Sequence, residues 1–225
     1  MQALHIYAGP AAQQAIAHDG LQPSAVRTIP AAAGGPKGLI LGALDRFIFG
    51  DWLHGSTQPI DLVGASIGAW RMATACLNQS VFGFRRLEHD YIHQHYALPP
   101  GQKRPSAAMV SELFGNNLQA FYDGRVQEIL QHPRYRLHIV TSRGRHLLGT
   151  EHGLRTPLGY FGAFVTNAVR RKAMGAWLER VVFSAPTANG DPSVCAALPF
   201  ATDDYRTRQV PLSDRNFNQA LQASC

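Results

Sequence analysis

Short apolar runs of strand type alternate along this chain with longer stretches whose apolar residues recur every three or four positions. Leu4 to Tyr7 reads as a first strand. Gly9-Pro10 then opens a helix to about His18, with proline at the first helical position and Gly20 as its stop. Ala25 to Ala32 is a second strand candidate and runs into Gly34-Gly35-Pro36-Lys37-Gly38. Past this loop Leu39, Leu41, Leu44, Phe47 and Ile48 recur at helical spacing, which predicts a helix to about Phe49. Ile60 to Val63 is a third short strand, broken by Gly64 to Gly68, and Ala69 to Leu77 resumes with helix formers.

The same alternation continues downstream. Phe84 to Tyr96 has a polar-rich helical pattern, and Leu98 to Ser106 is a loop of prolines and glycine. Glu112 to Gln131 reads as helix with an interruption at Asp123-Gly124. Arg136 to Thr141 is a strand candidate, Gly159 to Leu178 a long helix rich in small residues, and Val181 to Ser184 another strand. Gln209 to Leu212 is a last strand candidate, and Asn216 to Ala223 begins a helix that the chain end cuts short. Strands alternating with helices predict an α/β fold with a largely parallel central sheet. At 225 residues the chain suits one domain and is short for two.

Composition narrows the class without changing it. Hydrophobic residues make up 45% and charged residues 16%, a globular balance, and no apolar run is long enough to span a bilayer. The three cysteines, Cys76, Cys195 and Cys225, form no C-x-x-C pair and fit a reducing compartment. A cytoplasmic protein is the expectation. The formal charge of +6 is spread over clusters at Arg85-Arg86, Lys103-Arg104, Arg143 to Arg145 and Arg170 to Lys172. None forms a nucleic-acid-binding module, so no nucleic acid partner is expected. An anionic membrane surface would attract such a protein weakly, as a peripheral contact.

Two glycine-rich turns carry the candidate chemistry. Gly64-Ala65-Ser66-Ile67-Gly68 is a G-x-S-x-G pentapeptide between an apolar strand and a helix-forming run. A serine at such a turn is held in a strained backbone conformation, with its hydroxyl exposed at the carboxyl end of the sheet. The flanking glycines relieve crowding, and the Ile67 N–H would point at the reacting oxygen. Gly34-Gly35-Pro36-Lys37-Gly38 also lies between strand and helix, at the same predicted sheet edge. Such a loop can aim several N–H groups at one anion. Pro36 has none, which leaves Gly34, Gly35, Lys37 and Gly38 as donors. The G-x-x-x-x-G-K-[ST] spacing of a phosphate loop is absent.

A G-G-x-[RK]-G loop followed by a G-x-S-x-G elbow resembles the patatin-like phospholipase family. Arg180 to Ser184 resembles that family's later core strand, and Ala220 to Ser224 the helix before its second catalytic motif. The resemblance runs from about Val26 to Cys225. It implies a three-layer α/β/α domain, Ser66 as nucleophile, and Gly34, Gly35 and Lys37 in the oxyanion loop. It also implies a serine–aspartate dyad whose aspartate sits in an Asp-Gly-Gly or Asp-Gly-Ala motif. Ala32 and Ala33 depart from the further glycine or acidic residues often found there.

No Asp-Gly-Gly or Asp-Gly-Ala occurs in the chain. Asp19-Gly20 and Asp123-Gly124 lie outside the expected place, and Asp191, Asp203, Asp204 and Asp214 lack the glycine. The expectation is a fragment whose catalytic acid lies beyond Cys225, with Asp191 or Asp204 as the weaker substitute. His89 and His93 share a helix face, but no H-E-x-x-H or third ligand accompanies them, so no metal is expected. The last histidine is His152, too early for the late histidine of a triad esterase. The expected function is hydrolysis of an acyl ester of a lipid through an acyl-enzyme, with no cofactor; acyl transfer is a related outcome. The alternative is a lipid- or protein-binding module that keeps the fold without the dyad.

Overall fold

A computed structural model describes residues 5–98, 100–149, 155–170, 173–187, 191 and 193–225. Five strands form one sheet in the order β1 (Thr28–Ala31), β2 (Ile60–Gly64), β3 (Tyr135–Gly144), β4 (Leu178–Ser184) and β5 (Thr207–Pro211). Neighbours run parallel except β3 and β4, which are antiparallel. The α/β class and the mostly parallel sheet therefore stand. Pro30 lies within β1, an edge strand, where a residue without N–H is tolerated.

Core burial follows the strand alternation. Ile60 and Leu62 of β2 and Leu137 and Ile139 of β3 are fully buried. Helix α3 (Ile67–Ala75) has no solvated face, since every one of its residues is buried. Helices α1 (Pro10–Asp19), α2 (Gly42–Phe47), α4 (Ser80–Ile92), α5 (Ala107–Tyr122) and α6 (Val126–Leu130) occupy the first half of the fold. Helices α7 (Arg155–Val169), α8 (Met174–Trp177) and α9 (Phe217–Ser224) complete it. Among the described residues no helix is long and apolar enough to cross a membrane.

Three sequence expectations change. Residues 5–7 form no strand, and Leu4 lies outside the described residues, as does His152. The helix expected after the glycine loop is a graded one: 3₁₀ over Gly35–Leu41, α over α2, and π over Ile48–Trp52. Close packing accompanies the change of pitch, because a Cβ on Gly50 would run into Val81 and one on Gly42 would meet Glu88. The long helix expected at Gly159 to Leu178 is instead α7 followed by the short α8, and Leu178 already belongs to β4; residues 171–172 between them lie outside the described residues. Helix α1 buries no residue despite its well-formed proline start and its Gly20 cap at φ 72°.

Polar groups pin the sheet at two places. His138 is fully buried between Ser184, 2.9 Å from its Nδ1, and Asp61, 3.2 Å from its Nε2, while Gln209 donates to the Ser184 hydroxyl at 2.9 Å. The residue types are those of a triad, but Ser184 is fully buried and cannot meet a substrate, so the cluster serves as a satisfied core network. At the start of β3, His132 stacks on Tyr135 with ring centroids 4.3 Å apart, and its Nδ1 accepts from the Tyr135 and Arg134 N–H groups.

Burial, and then the neighbouring Arg134 charge, lower the His132 pKa to about 4. An unfolded histidine titrates near ~6.5, so below that pH the unfolded chain takes up a proton that the folded chain refuses. This contribution is complete above ~6.5 and is lost as the pH falls towards about 4. His132→Asn keeps an acceptor and removes the titration. Urea midpoints measured across this range are expected to fall less steeply in the variant, and parallel profiles would exclude the effect.

Candidate active site

The parallel pairing of β1 and β2, with Ala31 opposite Gly64, sends both glycine-rich turns out of the same sheet edge. The Ala65 N–H donates to the Ala31 carbonyl at 3.1 Å and ties the second turn to the end of β1. Ser66 follows with φ 54° and ψ −129°, one of two non-glycine residues with positive φ among those described. Such a conformation costs of order 1–3 kcal/mol and persists only where its surroundings impose it.

Those surroundings are visible in the two flanking glycines. A Cβ on Gly64 would sit 2.5 Å from the Ala69 nitrogen, and one on Gly68 would sit 2.6 Å from the Ala31 carbonyl carbon. Both obstacles are backbone and cannot rotate away. The turn therefore needs glycine on each side of the serine, for a steric reason that the pentapeptide alone only suggested. Helix α3 starts at Ile67, whose N–H, as the first helical one, lies outside the intrahelical ladder.

The first turn packs directly on the second. A Cβ on Gly38 would come within 2.9 Å of the Ile67 side chain. Gly35 adopts φ 54°, the left-handed region that favours glycine, and opens the 3₁₀ segment with Gly34 as its cap. In an i→i+3 ladder the cap and the first two residues keep free N–H groups. Pro36 has none, so Gly34 and Gly35 hold the free donors, while Lys37 and Gly38 shape the turn.

A third element, the helix at Ala220 to Ser224 that the resemblance singled out, reaches the serine from the chain end. Helix α9 packs on β3 and α5 through buried Phe217, Ala220 and Leu221. The Ser224 hydroxyl accepts the Ser66 N–H at 2.8 Å and donates to the Val140 carbonyl at 2.7 Å. Cys225 follows Ser224 and lines the same cavity as Ser66. Desolvation pushes the Cys225 thiol above its usual value, partly offset by the neighbouring Ser66 hydroxyl. It is a protonated thiol at neutral pH and not a base for Ser66. A sequence separation of 158 residues hides this contact from any local pattern.

Ser66 opens into a cavity of about 690 Å³, within the range of small-ligand sites. Gly35 and Cys225 flank the serine, and Ile67, Trp70, Val110 and Phe114 supply apolar wall. Among the described lining residues there is no aspartate or glutamate. Three of the late aspartates, Asp191, Asp204 and Asp214, are engaged elsewhere. Asp204 pairs with Arg180 at 2.8 Å, and Asp191 accepts from the Ser193 N–H and hydroxyl, and these contacts hold both carboxyls below the usual range. Asp214 accepts from Gln127, and Asp123 caps α5.

A smaller cleft of about 390 Å³ shares Trp70, Tyr91 and Gln94 with this cavity. His89 and His93 stack in it at 4.2 Å, as their spacing on α4 implied, and Arg86 bonds to Asp90 and to the Ala120 carbonyl. Among the described residues no three histidine, cysteine, aspartate or glutamate side chains are grouped to hold a metal ion.

No protein-family model matches the chain, and no curated protein or solved structure matches it either.

Proposed function

We propose that this chain carries the nucleophile half of a serine acyl-ester hydrolase acting on lipids, in a three-layer, patatin-like arrangement. The observation that carries this reading is the strained Ser66 backbone at a strand-to-helix turn that opens into a cavity with an apolar wall. Strain of this kind concentrates at reacting groups. The apolar wall favours an acyl chain over a polar substrate.

In the proposed reaction the Ser66 hydroxyl oxygen attacks the ester carbonyl. The N–H groups of Gly34, Gly35 and Ile67 donate to the developing oxyanion. Collapse of the tetrahedral species expels the alcohol and leaves an acyl-serine, which water then hydrolyses. Transfer of the acyl group to a second alcohol uses the same steps. The proposed dyad assigns the serine proton to an aspartate; the described cavity residues include no acidic side chain, and α9 brings Ser224 to the Ser66 N–H. A second reading, a binding module without catalysis, is favoured by the lack of an acidic side chain among the described cavity residues.

Fluorophosphonate labelling of the 225-residue chain, and of any longer protein that contains it, separates these readings. Labelling of the longer protein that disappears in Ser66→Ala supports the hydrolase. Absence of labelling and of fatty-acid release in a folded, extended protein sinks it and leaves the binding module.

A further inference from the structure

Helix α7 is turned inside out relative to an ordinary surface helix. Its inner side is made of small residues: a Cβ on Gly159 would press on Leu148, and one on Gly162 would press on Trp177. Ala163 is buried, and the Thr166 hydroxyl accepts the Trp177 indole N–H at 2.9 Å. Its large apolar residues point the other way. Leu158, Tyr160, Phe161, Phe164, Val165 and Val169 are all exposed, Phe164 at 71% and Val169 at 85%. At ~100° per residue these six fall on one continuous half of the helix, opposite Gly159, Ala163 and Thr166. A contiguous apolar face of this extent marks an interaction surface.

Charge and position identify the partner. Residues 155–178 contain four basic residues, Arg155, Arg170, Arg171 and Lys172, and no acidic one. An apolar helix face of aromatic and aliphatic residues, followed in sequence by arginine and lysine, is the composition of helices that lie in the headgroup region of a bilayer. The surface also shares an edge with Ser66. Strand β3 continues past Ile139, the partner of Gly64, to Gly144, and the chain returns at Leu178 opposite that residue. Helix α7 belongs to the excursion between these two points.

We infer that the outer face of α7, with its adjoining basic run, docks the protein on an anionic lipid bilayer. The inference rests on the acyl-lipid reading for its purpose, because it would set the serine's sheet edge towards the lipid. The surface itself needs no catalysis. Six apolar side chains would enter the acyl–headgroup boundary, and the positive charge of residues 155–178 would favour anionic lipid. The inner side of α7 stays on Leu148 and Trp177, so no refolding of the helix is required.

Flotation with phosphatidylcholine vesicles, and with vesicles that also contain phosphatidylserine, tests this. Binding to the anionic vesicles is expected to exceed binding to the neutral ones by roughly 100-fold at low salt, with three basic residues contributing about fivefold each. Phe161→Ser/Phe164→Ser should weaken anionic-vesicle binding at least about tenfold with an unchanged circular dichroism spectrum. Arg170→Gln/Arg171→Gln/Lys172→Gln should erase the preference for anionic lipid. Equal binding of the serine variant and the parent overturns the proposal, as does equal binding to both vesicles. So does a dimer that the serine variant dissolves while the parent ignores vesicles, which would give the face to a second copy of the chain. The two readings fail separately: vesicle binding without ester hydrolysis by a protein that carries the complete dyad leaves the surface and sinks the hydrolase, and Ser66 labelling without vesicle binding does the reverse.

Discussion

Asp45→Ala is expected to destabilise the fold by about 3–5 kcal/mol, enough to leave a domain of ordinary stability close to unfolding. Asp45 is 3% exposed and Arg71 is 7% exposed, and the two meet through paired hydrogen bonds of 2.6 Å from Arg71 Nε and Nη2. Their placement makes the pair a clamp between the two turns of the site. Arg71 lies on α3, which leaves the Ser66 elbow, and Asp45 lies on α2, which follows the glycine loop. Removing the carboxylate strands a guanidinium in a helix whose every residue is buried, and its desolvation is then uncompensated. Asp45→Leu combined with Arg71→Met replaces the pair with apolar volume and should recover most of the loss. Urea denaturation of Asp45→Leu, Arg71→Met and the double variant measures the coupling. A loss below about 1 kcal/mol in Asp45→Ala would show that water reaches Arg71 and that the pair is no clamp.

That clamp also marks where sequence reading stops. The strand–turn–helix units around Gly34 and Ser66 were legible because apolar periodicity and glycine clusters are local signals. The complete burial of α3 was not. An arginine within Ile67–Ala75 argues for a solvated face until its partner is known, and Asp45 lies 26 residues away. Direction was hidden too: an apolar run such as Val181 to Ser184 reads the same in both orientations, so the antiparallel setting of β4 left no local trace. Helix α7 was legible as a helix, but its composition concealed that the small residues turn inward and the large ones outward. In the candidate site, Ser66 and its glycines were found from the pentapeptide, whereas Ser224 and Cys225 come from the far end of the chain. Only packing of α9 on β3 and α5 could place them there.

The strain at Ser66 separates a reacting residue from a decorative one, through two substitutions at one position. Ser66→Ala and Ser66→Gly both remove the hydroxyl, and each should reduce acyl-ester turnover by roughly three powers of ten or more in a protein that carries the complete dyad. Their stabilities should differ. Alanine keeps the Cβ at φ 54° and ψ −129°, and with it the strain. Glycine accepts that backbone freely, relieving of order 1–3 kcal/mol and giving back about 0.5–1 kcal/mol through the extra freedom of the unfolded chain. Ser66→Gly is therefore expected to be more stable than Ser66→Ala by about 1 kcal/mol, by denaturant midpoint at equal slope. The Ser66 N–H and its bond to Ser224 survive in both, so the comparison isolates the Cβ. A glycine variant no more stable than the alanine variant would mean that the backbone stores no strain at the turn, and the argument from strain to catalysis would lose its premise. A more stable glycine variant would identify a position where the fold gives up stability to hold one hydroxyl at the mouth of an apolar cavity.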